Sequence, residues 1–361
     1  MVMKMLSRRV MDLLRARVGY PFAREYGAGL AGAINLSSNE SPFGPSLSVV
    51  RAIRREAARV GLYPDPKAEE LKKEISRYIG VDEKCIVLGN GSDELIDMSC
   101  KAFLDQGDAA LIPLPTFSMY EISCRVNGGV PKFVELRNFE WDPDALVAAM
   151  SGAKLAFIAR PNNPTGNGID EAGLERLLAL DKPIVVDEAY AEFAGRSVAR
   201  QAKSRDNLMV LRTFSKAFGM AGLRIGYAIA SPRIAEVLEE IRPPFNVNRL
   251  AQVAAIAALQ DRQYLRKVVN TIRAGRSYLS KELSKLGARV LLSDANFLMV
   301  DVTPLGCEAL ELCDYLSRNK ILIRDLSGFR GAGARWVRIT VGTPRQNKKL
   351  VLALKKFKGG R

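Results

Sequence analysis

Residues 211–226 read L-R-T-F-S-K-A-F-G-M-A-G-L-R-I-G and set one lysine, Lys216, between two apolar runs at 207–211 and 225–230. The apolar runs have the length of buried strands, and the Ser- and Gly-punctuated segment between them is the loop that joins them. Arg224 follows in the same loop. A hydroxyl, an amine, glycines and a guanidinium in one loop can hold a phosphate while offering a nucleophilic nitrogen. Schiff-base chemistry on pyridoxal phosphate needs both. A lysine beside a serine is more commonly a solvated surface charge, so the assignment depends on what the rest of the chain supplies.

Moving outward, short apolar runs alternate with helical patterns. Strands are predicted at 85–88, 109–112, 132–136, 154–159 and 183–186, with helices running to 104, near 119–126 and over 171–180. This alternation predicts an α/β fold with a mostly parallel central sheet covered by helices on both faces. The unusual residues sit where strands end, which is where open α/β sheets bind ligands. Upstream, 35–45 is a turn-dense loop. A helix is predicted over 46–60 with Val49, Val50, Ile53, Ala57 and Val60 inward, and L-Y-P-D-P at 62–66 stops it. A second amphipathic helix covers 67–79. Beyond residue 232 helices dominate, and 248–287 is largely helical. Short strands at 290–292, 297–302, 321–324 and 337–341 then alternate with helices at 308–319 and 344–357. The expected division is an N-terminal arm and substrate loop (1–45) packing on the small domain and on a partner subunit, a large domain (46–245) and a smaller C-terminal α/β domain (246–361).

Composition narrows the chemistry. The chain of 361 residues contains no histidine, which removes a Ser-His-Asp device, a His-ligated metal and a histidine general base. Acid–base work falls to Lys, Tyr, Asp or Glu. Five cysteines without C-x-x-C spacing predict free thiols in a reducing, cytoplasmic compartment and no zinc site. The net charge of +15 is dispersed, without a basic tail or aromatic-basic repeat, so no nucleic-acid partner is expected. It suits the attraction of small anionic substrates. No run approaches the ~18 apolar residues of a membrane helix, and neither a membrane partner nor a signal peptide is expected. Met3, Leu6, Val10, Leu13 and Leu14 share one helical face, as in an amphipathic arm.

Three strand ends carry polar groups. Gly89-Asn90-Gly91-Ser92-Asp93-Glu94 joins a strand to a helix; its backbone N–H groups suit a phosphate, and Ser92 equally suits an N-cap. In Pro161-Asn162-Asn163-Pro164-Thr165-Gly166, turn chemistry accounts for the Pro and Gly but not for the second amide. Asn163 can therefore bond a ligand hydroxyl. Asp187-Glu188-Ala189-Tyr190 follows a wholly apolar strand. A carboxylate there is nearly buried and needs a positive partner, such as a protonated pyridine nitrogen. Tyr190 can then donate to the same ring; a capping Asp with a core tyrosine is the alternative.

P-N-N-P-T-G, D-E-A-Y and T-F-S-K-A-F-G-M-A-G-L-R-I-G-Y, in this order, resemble the fold-type I pyridoxal-phosphate-dependent aminotransferases, and within them the histidinol-phosphate aminotransferase branch. N-L-S-S-N-E-S-P-F-G-P-S, Y-P-D-P, G-N-G-S-D-E, P-T-F-S-M-Y, P-F-N-V-N, A-N-F and V-R-I-T-V-G-T-P extend the likeness from about Tyr20 onward. The resemblance implies a large domain with a mostly parallel sheet, a smaller C-terminal domain and a homodimer with shared active sites. It makes Lys216 the Schiff-base lysine. Ser215, Thr213 and Arg224 would hold the cofactor phosphate with the backbone of Gly91, Ser92 and Asp93. Phe117, where some relatives have tyrosine, would stack on the ring. Asn163 and Tyr190 would meet the ring's phenolic oxygen, and Asp187 its nitrogen. Tyr63 would reach the partner's cofactor phosphate. Arg338 would pair with the substrate α-carboxylate, and Arg324 with the substrate phosphate or the second carboxylate of glutamate. Tyr20 and Asn39 would also bind substrate, and Arg330 or Arg335 would share the phosphate contact or serve as surface ion pairs. The implied reaction moves an amino group between L-glutamate and imidazole acetol phosphate. An aromatic amino acid aminotransferase or a threonine-phosphate decarboxylase of the same fold are the alternatives.

Overall fold

The computed structural model describes residues 5–16, 19 and 32–357. Tyr20, expected at the substrate phosphate, lies outside them, as does Met3 of the arm. After a short strand β1 (Ile34–Asn35), seven strands form the main sheet. They are β2 (Ile86–Gly89), β3 (Ala109–Leu114), β4 (Val130–Glu135), β5 (Leu155–Ala159), β6 (Ile184–Asp187), β7 (Leu208–Thr213) and β8 (Gly226–Ile229). Their order is β2-β8-β7-β6-β5-β3-β4. Only β8 runs against its neighbours in this sheet.

Helices run ahead of and between these strands: α1 (Arg8–Arg15), α2 (Leu47–Glu56), α3 (Glu69–Ile79), α4 (Ser92–Phe103), α5 (Met119–Val126), α6 (Pro143–Met150), α7 (Glu171–Leu178), and the one-turn α8 (Ala191–Ala194) and α9 (Ala199–Ala202). α10 (Pro232–Ile241) and α11 (Arg249–Gln260) follow β8. Successive strand residues serve opposite faces. Phe157, Val185 and Met209 enter one core with Leu95 and Met98 of α4, Cys124 of α5 and Leu238 of α10. Ile158, Val186 and Val210 enter another with Leu71 of α3, Leu146 of α6, Leu174 of α7 and Ala251 of α11. Both faces are covered, and for that reason the central strands read as continuous apolar runs.

The remainder builds a smaller unit from α12 (Arg262–Lys285), β9 (Arg289–Val290), β10 (Phe297–Asp301), α13 (Ala309–Arg318), β11 (Ile321–Leu322), β12 (Arg324–Asp325), β13 (Trp336–Thr340) and α14 (Pro344–Lys356). An antiparallel sheet in the order β12-β13-β10-β9 packs its Phe297, Val300, Val337 and Ile339 against Ile272 of α12, Leu312 of α13 and Leu350 of α14. β1 pairs with β11 in parallel, which ties the N-terminal segment to this unit.

Several expectations change. The helix predicted over 46–60 ends at Glu56 and tightens into a 3₁₀ turn, leaving Val60 61% exposed and putting Ala52 inward instead of Ala57. The strand predicted over 321–324 is two strands in different sheets, divided at Ile323. α11 begins three residues after the division expected at residue 246. α11 lies on α2 and α3, with Ala251, Ala254 and Ala255 in the sheet's core. A helix face of alanines permits that close approach, and the Pro243-Pro244 break does not turn the chain away from the sheet. All five cysteines are free thiols, and four are buried.

Candidate active site

Cross-strand register aligns three strand ends: Thr213 of β7 pairs with Gly226 of β8, and Gly226 with Gly89 of β2. The Lys216 loop between antiparallel β7 and β8 therefore lies beside the start of α4. Asp187 at the end of β6 pairs with Ala159 of β5 on one side and Leu211 on the other. A cleft of about 290 Å³ opens over these ends. Ser92, Asp93, Phe117, Asn163, Asp187, Tyr190, Thr213, Ser215, Lys216, Arg224, Asn39 and Arg338 all line it.

The phosphate end is a cradle of backbone. α4 begins at Ser92, and no side chain caps it. The capping alternative for Ser92 thus fails, and the helix N-terminus faces the cleft with its N–H groups and positive dipole end. Gly91 has φ +81°, and a Cβ on it would come within 2.5 Å of Arg224 Nη2. A Cβ on Gly226 would lie 2.8 Å from the Ser92 nitrogen. Both glycines leave room that a side chain would fill. Arg224, itself at φ 53°, gives Nη2 to Asp93 Oδ2 at 3.1 Å and Nη1 to the Ala221 carbonyl at 3.3 Å. Thr213 Oγ1 accepts from the Ser215 nitrogen at 3.1 Å and shapes the turn that leads to Lys216.

At the other end of the cleft, Asp187 is buried, and its hydrogen bonds come from two neutral donors. Tyr120 Oη donates to Oδ2 at 2.7 Å, and the Ala189 N–H to Oδ1 at 2.9 Å. Burial pushes this carboxyl above its ordinary range, with the Tyr120 bond opposing. The carboxylate retains capacity for a cation brought by a ligand. Tyr120 was not among the expected site residues. It stands in the first turn of α5, Phe117 lies just before that helix, and the two rings meet edge to face at 5.7 Å. Tyr190 lies beneath Lys216, whose Nζ is 6.0 Å from its ring centroid, and receives the Asn39 amide at 3.0 Å. Lys216 is lowered to about 8, by burial first and by the charge of Arg338 second.

Arg338 is buried and oriented by two acceptors. Nη1 donates to Asn163 Oδ1 at 2.5 Å, and Nη2 to the Ser37 carbonyl at 2.7 Å. Arg324 pairs with it across β12 and β13, but it does not line the cleft. Both guanidinium groups lie against the Phe329 ring, at 5.6 Å for Arg324 and 5.9 Å for Arg338. Tyr63 is 77% exposed and stacks on Phe245 at 4.5 Å, away from this cleft. Arg330 is engaged by Glu121 at 3.0 Å and Arg335 by Asp301 at 3.5 Å.

These groups fit pyridoxal phosphate. A dipole-capped backbone cradle suits its phosphate, a buried carboxylate with neutral partners suits a pyridinium, and a lysine of lowered basicity stands between them. Comparison with known proteins agrees. Residues 31–354 match the aminotransferase class I and II family. A histidinol-phosphate aminotransferase of Methanosarcina mazei is 40% identical over 335 residues, 92% of this chain and 90% of its own. One of Methanocaldococcus jannaschii is 35% identical, covering 94% of this chain and 95% of its own. The crystal structure of histidinol-phosphate aminotransferase from Sinorhizobium meliloti in complex with pyridoxal-5'-phosphate superposes with a TM-score of 0.85 at 29% identity, covering 97% of this chain and 96% of that one. From its matched length, its sheet and its strand-end lysine, this chain belongs to the aminotransferase class I and II family, whose cofactor is pyridoxal phosphate.

Proposed function

We infer that this chain moves the amino group between L-glutamate and imidazole acetol phosphate, giving L-histidinol phosphate and 2-oxoglutarate in L-histidine biosynthesis. The observation that carries the chemistry is the convergence of Lys216, Asp187 and Arg338 on one cleft. The names of the relatives described above support the substrate. When bound, pyridoxal phosphate supplies the electron sink and carries the amino group between the two substrates. The start of α4, Ser215, Thr213 and Arg224 hold its phosphate, and Asp187 its ring nitrogen. Arg338, held flat by Asn163 and Ser37, takes the α-carboxylate shared by glutamate and 2-oxoglutarate. Lys216 Nζ, when neutral, takes the proton from the Cα of the amino donor in one half-reaction, and when protonated delivers a proton to the Cα of the amino product in the other. Both half-reactions use the one site in turn.

The reading includes a homodimer in the cytoplasm. The exposed, stacked Tyr63 is supported as a group that completes the partner's phosphate cradle. Free cysteines suit a reducing compartment. The test is a panel of amino donors on the purified holoenzyme. Histidinol phosphate should turn over faster than phenylalanine or threonine phosphate. Faster turnover of phenylalanine, or release of carbon dioxide from threonine phosphate, would refute the assignment.

A further inference from the structure

Asn39 sits in a chain of hydrogen bonds whose direction is set from one end. Its backbone N–H donates to Thr340 Oγ1 at 3.0 Å. The Thr340 hydroxyl gives its own proton to Asn39 Oδ1, also at 3.0 Å. With Oδ1 accepting, the amide presents its NH₂ on the other side, where Nδ2 donates to Tyr190 Oη at 3.0 Å. With the amide flipped, Thr340 Oγ1 would accept twice and its own proton would lose the Asn39 Oδ1 acceptor at a buried position, which is costly. Asn39 is held in place from behind. It is 1% exposed, it has φ 55°, a region asparagine tolerates, and its carbonyl accepts from Asn296 Nδ2 at 3.1 Å. Thr340 and Asn296 belong to the smaller unit, and Tyr190 follows β6 of the main sheet. Thr340 is also two residues beyond Arg338 on β13.

We propose that Asn39, with Thr340, is a positioning residue for Tyr190. A phenol that accepts from the Asn39 amide gives its own proton elsewhere, and Tyr190 faces the cleft. The relay directs that proton toward the ring oxygen of pyridoxal phosphate, so this proposal rests on the cofactor reading above. It ties the strand that carries Arg338 to the group that tunes the cofactor.

The readout is the pH midpoint of the visible absorbance of the bound cofactor in the holoenzyme. A hydroxyl donating to the ring oxygen favours the deprotonated form, so loss of that bond raises the midpoint. Asn39→Asp replaces the NH₂ with an acceptor, draws the Tyr190 proton away and should raise the midpoint by about one to two pH units. Thr340→Val, isosteric and uncharged, should move it in the same direction, and Thr340→Ser should restore it. The charged groups that share the cleft with Tyr190 (Lys216, Asp187, Asp93, Glu40, Arg224 and Arg338) are untouched by these changes. In a Tyr190→Phe background the Asn39→Asp shift should vanish. A midpoint that stays put in both Asn39→Asp and Thr340→Val, or a shift that persists without the Tyr190 hydroxyl, overturns the proposal. Wild-type protein lacking a visible band that Lys216→Ala abolishes would overturn the cofactor reading itself.

Discussion

Lys216 can act as a base only when neutral. Burial lowers it from 10.5 to about 8, so the lysine-dependent step should rise about tenfold per pH unit below that value and level off above it. Single-turnover rates across that range check this. The same burial bears on stability. Between about 8 and 10.5 the unfolded chain keeps a proton that the folded chain has released, so the cofactor-free protein should become more stable as pH rises through that window. Lys216→Met removes a desolvated charge. It should stabilise the cofactor-free protein at neutral pH by about 0.5–2 kcal/mol, while transamination falls by at least about 10²–10⁴-fold. A lower melting temperature for Lys216→Met would contradict burial as the source of the shift. At this scale the sequence is legible where one residue does one job. Lys216, Asp187 and Asn163 are where strand-end chemistry put them. Tyr120 was legible only as the end of a motif, because its role depends on a carboxylate 67 residues away.

The strands and helices hold these residues through buried charge. Arg212 of β7 reaches Glu188 at 3.3 Å and Glu192 of α8 at 2.5 Å, with all three side chains buried beneath the cleft. Arg212→Met would leave two buried carboxylates without their cation and should cost about 3–5 kcal/mol in urea unfolding. The loop between β12 and β13 is pinned to α5 by Arg330, which meets both oxygens of buried Glu121. Arg330 is half exposed, so Arg330→Ala should cost less, about 1–2 kcal/mol, and a double-mutant cycle with Glu121→Gln should show the coupling. Element existence follows closely from periodicity, as with α5. α6 has no counterpart among the predicted helices, although Asp142 and Pro143 carry the start signal: the Asp142 carboxylate caps the helix and proline occupies its first turn.

At the scale of the whole molecule, charge and exposed surface matter. A net charge of +15 should draw anionic substrates, so KM for the phosphorylated substrate should rise several-fold as salt shortens the screening length from about 30 Å to about 8 Å. An uncharged donor would not show this. Leu62, Tyr63 and Phe245 present apolar surface that a monomer seldom leaves open. Sedimentation should therefore report a dimer, and Tyr63→Asp should weaken both dimerisation and cofactor retention. A monomer with full activity would remove Tyr63 from the site.

The amino-acid sequence by itself determined the α/β alternation, the lysine loop and the polar groups at the ends of the strands. These depend on local spacing: period-two burial, turn residues and the order of motifs along the chain. Only the tertiary structure decided which of those groups meet. Asn39 donates to Tyr190 across 151 residues and Arg330 reaches Glu121 across 209. Arg324 lies against Phe329 and Arg338 enters the cleft, although both sit on paired strands with apolar neighbours. The order of the sheet, the reversal of β8 and the docking of the smaller unit set these partners. Hydrogen bonds between residues distant in sequence leave no periodic trace in it, and for that reason the lysine was legible from the order of motifs along the chain while the contacts that orient the site were not.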